Sequence, residues 1–134
     1  MSIHHPKMIE FKRTFQRMFN EVDRAIEARF GDRYPLHPAR PRHGTTSDPS
    51  AEGLFNIGAD FTMGYGSRYG RGYLIDIHMA TLEDVPPDER WEVVQAVIEK
   101  LEELLPEYFP NRNLEIFCEG DHFKICGDFS LGSV

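Results

Sequence analysis

The chain is poor in cysteine: only Cys118 and Cys126 occur in 134 residues. Two thiols at this length exclude the disulfide scaffold of a small secreted domain. Long apolar runs are missing too; none approaches the roughly 18 residues of a membrane-spanning helix. Residues Met1 to Lys7 hold no apolar core segment, so no secretory leader is expected and the chain reads as cytoplasmic. Also absent are a close-spaced zinc-ligand motif, a phosphate-binding P-loop, a dinucleotide fingerprint and a serine–histidine–acid signature. No cofactor is therefore expected. No motif names a reaction, and catalysis is left open.

Positive charge is in short supply as well. Lysine and arginine total 15 against 22 acids, a net charge of −7. From Glu83 to Glu107 nine acids meet only Arg90 and Lys100, so this one segment carries the whole excess. General nucleic-acid binding needs a positive surface that displaces counterions, and is not expected. Apolar residues make up 40% of the chain, enough for one packed domain and too many for a disordered tail.

What is present is patterned. Met8, Phe11, Phe15, Met18, Val22 and Ile26 recur at steps of three and four, which predicts an amphipathic helix over 7–30. Lys12, Arg13, Arg17, Asp23, Arg24 and Glu27 are assigned to its polar side. Gly31 suits the stop. Residues 31–53 read as a loop, broken by Pro35, Pro38, Pro41 and Pro49. Within it, Pro35 to Arg40 has the spacing of an arginine-anchored polyproline ligand, although a helix-to-sheet crossing explains it better.

Alternation of apolar and polar residues predicts a hairpin over 54–82. A second helix spans 86–105, with Pro86 and Pro87 at its start and Pro106 as its end. Its expected stripe is Trp91, Val94, Ile98, Leu101 and Leu105. A last hairpin covers 113–131 around Gly120-Asp121, a two-residue turn with glycine first. That turn pairs Glu119 with His122, Cys118 with Phe123, Phe117 with Lys124, Ile116 with Ile125, Glu115 with Cys126 and Leu114 with Gly127.

The expected fold is a single α+β domain: helix–hairpin–helix–hairpin, a four-stranded antiparallel sheet with two helices packed on one face. Phe15, Val22, Ile75, Ile77, Val94, Leu101, Ile116 and Ile125 are the expected core. The other sheet face is polar and carries the first candidate site. Asp60, Asp76, His78 and Asp128 share that face, with Asp60 expected opposite Asp76 or His78. Such oxygen and nitrogen donors suit a divalent metal and a metal-assisted hydrolase.

The second candidate is the loop from Gly64 to Tyr73. Gly66, Ser67, Arg68, Tyr69, Gly70 and Arg71 combine backbone N–H groups free to approach an anion with two forked guanidinium donors and a ring to stack. Cys118 is expected in the core and Cys126 on the polar face, too far apart for a disulfide.

The leading reading is a non-enzymatic binding or adaptor module for an acidic or phosphorylated protein or a small anion. The hydrolase and an acidic chaperone-like dimer are the alternatives. Self-association is also expected, because the phenylalanines at 11, 15, 19 and 30 make a stripe wider than one sheet contact needs.

Overall fold

The computed structural model describes residues 6–46 and 48–127, Lys7 by its backbone alone. Helix α1 (Pro6–Phe30) is followed by a long loop containing a 3-10 turn at Pro49–Ala51. Strands β1 (Phe55–Thr62) and β2 (Gly72–Met79) come next, then α2 (Pro87–Tyr108), β3 (Leu114–Glu119) and β4 (His122–Gly127). The strands form one antiparallel sheet in the order β1-β2-β4-β3, the two hairpins joining through β2 and β4. Among the described residues no helix is long and apolar enough to cross a membrane.

The turn chemistry decides the last hairpin. Gly120 adopts φ +66°, and all six expected β3–β4 pairs are present in that register. α1 ends as expected, with the Gly31 N–H donating to Glu27 O. α2 does not stop at Pro106. A proline this close to a C-terminus removes one N–H bond, and the turn continues until Phe109 N–H donates to Leu105 O. Phe109 then buries its ring, and Tyr108 Oη donates to Glu21 Oε1 at 2.5 Å, tying α2 to α1.

Both helices contribute to one core with the apolar side of the sheet: Phe15, Val22, Leu101 and Ile125 are buried within it, while Ile75, Ile77 and Ile116 pack partly buried against it. Val94 is only half-buried and Trp91 is 48% exposed. The buried stripe of α2 is instead Val93, Ala96, Val97, Leu101, Leu104 and Leu105, because α2 packs on α1 as well as on the sheet.

The apolar surplus of α1 is consumed within the chain. Phe11, Phe15, Met18, Phe19 and Phe30 are all buried. Phe15 lies 5.0 Å from Phe19 and 4.7 Å from Tyr73, ring centre to ring centre. The width of the stripe reflects contacts with α2, the sheet and the 3-10 turn, so it no longer argues for self-association.

The two cysteines exchange their expected environments. Cys118 is exposed and Cys126 buried. Cys118 sits at the turn end of edge strand β3, where its thiol reaches only Gly120 O. Cys126 lies against Gly72, where an added Cβ would stand 2.9 Å from its sulfur.

Candidate functional site

The loop between β1 and β2 folds back over the sheet face opposite the helices. Gly64 permits this: at φ +74° an added Cβ would stand 2.0 Å from Gly70 O, so the two ends of the loop touch. Tyr69 then stacks on Phe117 at 4.4 Å between ring centres.

Lys124, the partner of Phe117 in the last hairpin, is 1% exposed beneath this loop. Its Nζ donates to Ser67 Oγ at 2.5 Å and to Gly70 O at 2.7 Å, and stands 3.3 Å from Glu119 Oε1. Burial of an ammonium is tolerated because carbonyl, hydroxyl and carboxylate oxygens surround it.

The anion cradle expected in this loop exists, and its guest is internal. The Glu119 carboxylate accepts from Ser67 Oγ at 2.7 and 2.9 Å and from the Arg68 N–H at 2.8 Å. These donors, with Lys124, hold its pKa below the usual carboxylate value. Ser67, Arg68 and Gly70 thus meet as the sequence implies, but their backbone and hydroxyl groups are engaged. The Arg68 and Arg71 side chains are exposed, Gly66 lies at the exposed tip, and Tyr65 is 89% exposed. No hydrogen bond or ion pair engages either guanidinium among the described residues.

The carboxylate–histidine set on the sheet is more dispersed. Asp60 stands opposite Leu74, not Asp76 or His78; Asp76 faces Gly58 and His78 faces Asn56. The register follows from Phe55 meeting Met79, two residues off what a carboxylate pair requires. All three side chains are exposed. Asp128 lies outside the described residues.

A different set of donors converges beside the long loop. Asp23, Glu27 and His43 place one ligand atom each within 4.8 Å of one another. Asp23 and Glu27 are one helical turn apart on α1, and His43 comes from the loop. The Glu27 carboxylate accepts from the N–H groups of Leu54 and Phe55 at the edge of the sheet. Gly31 and Gly53 leave it room, since a Cβ on either would come within 2.5 Å of it.

Asp23 was assigned to the polar side of the helix, yet it is 0% exposed, and neither carboxylate oxygen makes a hydrogen bond of full geometry, the nearby Ile57 amide being a weak donor at most. Its pKa is raised to about 7, first by burial and then by the Glu27 charge; the Ile57 amide and Arg40 pull the other way. The signal in the sequence was position. Asp23 lies four residues after Phe19, three before Ile26 and seven before Phe30, inside the apolar stripe.

The loop itself is tightly built. Arg40 donates to four backbone carbonyls, those of Gly53, Ser50, Glu52 and Phe55, at 2.6 to 3.2 Å. The guanidinium therefore points inward, and the polyproline-ligand reading fails. Glu52 is buried and accepts from Gly44 N–H, Thr46 N–H and Thr46 Oγ1. The Thr46 and Gly44 bonds bring its pKa down to about 2. Arg33 pairs with Glu92 at 2.9 Å and Tyr34 donates to Glu89, tying the start of the loop to α2. Between loop and helix lies a cleft of about 560 Å³ lined by Glu27, Arg33, Tyr34, Arg42, His43 and their neighbours.

No solved structure matches this chain. A protein of Borreliella burgdorferi described as an uncharacterized protein is 41% identical over 124 residues, covering 92% of this chain and 96% of that protein. The matching family model, described as an uncharacterised protein, spans residues 6–127, and the chain belongs to that family.

Proposed function

We propose that the protein is a non-enzymatic binding module that recognises an acidic protein segment through Tyr65, Arg68 and Arg71. One observation carries this reading. The β1–β2 loop is pinned from inside by Lys124 and Glu119, while both guanidinium groups face solvent without an internal partner. Arginines on a pre-ordered loop bind carboxylates with less ordering cost than arginines on a mobile one. Their paired positive charge complements the carboxylates of an acidic partner.

The test is fluorescence anisotropy with a labelled glutamate-rich peptide containing one aromatic residue. Saturable, salt-sensitive binding is expected, and Arg68→Glu/Arg71→Glu should abolish it while leaving the circular dichroism spectrum unchanged. Binding equal in the double variant, or none in the parent, contradicts the proposal.

A further inference from the structure

We infer that Asp23, Glu27 and His43 form a binding site for a single divalent cation of the Zn2+ type, separate from the arginine-bearing loop. Three independent features converge. The donor atoms gather within 4.8 Å of one another, close enough to share one ion. Asp23 is wholly buried, and neither of its oxygens makes a hydrogen bond of full geometry, the Ile57 amide offering only a weak one. Buried carboxylate oxygens so weakly paired are costly, and a coordinated cation is one of the few groups that compensates them. Glu27 and His43 both line the cleft between loop and helix, so two of the three donors can be reached from it.

The surroundings fit the same reading. Amides of Leu54 and Phe55 fix the Glu27 carboxylate in place. Glu52 Oε1 stands 3.8 Å from His43 Nδ1, beyond hydrogen-bond distance but close enough for its charge to favour a cation there. Asp23, Glu27 and Glu52 supply negative charge, and the nearby Arg40 guanidinium is engaged by backbone carbonyls. One imidazole and two carboxylates suit zinc better than magnesium, which prefers oxygen ligands and retains its waters.

The experiment uses the full chain stripped with chelator and dialysed against Zn2+, with metal content measured by atomic emission. One saturable zinc per chain is expected. Asp23→Asn and His43→Ala should each weaken binding by more than about tenfold while keeping the parent circular dichroism spectrum. Cys118→Ser and His122→Ala, at exposed positions elsewhere, should bind as the parent does. Titration with Co2+ should give visible ligand-field bands without thiolate charge transfer. The proposal is overturned by absence of saturable zinc binding, by parental affinity in Asp23→Asn or His43→Ala, or by a thiolate band placing the ion on cysteine. His43 is an exposed loop residue, so its variant keeps the test decisive should Asp23→Asn fail to fold.

Discussion

Lys124 Nζ lies 3.3 Å from Glu119 Oε1, and the lysine is 1% exposed while the glutamate side chain is 31% exposed. The pair belongs to one hairpin yet organises another, because Ser67 Oγ bonds to both partners. A buried ammonium thus fastens the β1–β2 loop to the far face of the sheet.

Lys124→Met keeps the apolar stem and removes the donor. It leaves Gly70 O without its partner and returns Glu119 to solvent-screened donors alone. A loss of roughly 1–3 kcal/mol is expected, below that of a wholly buried ion pair because Glu119 is partly solvated. Urea denaturation measures it. Amide exchange should rise over residues 64–71, and an unchanged exchange pattern there would show that the loop is held by Tyr69 stacking instead.

Asp23 makes stability fall with rising pH in the metal-free protein. The unfolded carboxyl loses its proton near its ordinary value of 3.8, whereas the folded one holds it to about 7. Between these values the native state binds more protons, so stability declines from about pH 4 to pH 7, and the full penalty applies above. Asp23→Asn abolishes that decline. It should match the parent below pH 4 and exceed it by roughly 2–4 kcal/mol above pH 7. Urea titrations across pH in chelator test this; a pH-independent difference between the two proteins would rule it out.

The sequence shows different parts of this molecule to different depths. The β3–β4 register was legible because a two-residue turn beginning with Gly120 fixes every pair after it. Both helices were legible from their apolar spacing. Burial of Lys124 was not, because it depends on where the nine residues 63–71 travel after leaving β1, and alternation within β4 is silent on that. Phe19 was read as surplus surface because the stripe was compared with a sheet contact alone; α2 and the 3-10 turn supply the missing cover. The donor set of Asp23, Glu27 and His43 joins a helix to a loop 16 residues beyond Glu27. No local spacing rule links such residues, although the place of Asp23 in the apolar stripe was visible.

Arg40 closes the long loop, and its geometry makes a sharp prediction. One side chain serves the carbonyls of Gly53, Ser50, Glu52 and Phe55, with Nε and Nη2 aimed in different directions. A guanidinium does this because its donors are held in a rigid planar fork. An ammonium is a compact point charge with a shorter reach, so Arg40→Lys keeps the charge and loses most of these bonds. The carbonyls of Gly53 and Phe55 adjoin the residues whose amides hold Glu27, so loosening them also loosens the cleft wall. Arg40→Lys should cost roughly 1–3 kcal/mol in urea denaturation, from unpaired carbonyls in part-buried surroundings. Amide protection should fall at Gly44, Thr46, Gly53 and Leu54, and remain at parental levels in β3 and β4. A uniform fall across the whole sheet would show instead that the loop and the core unfold as one unit.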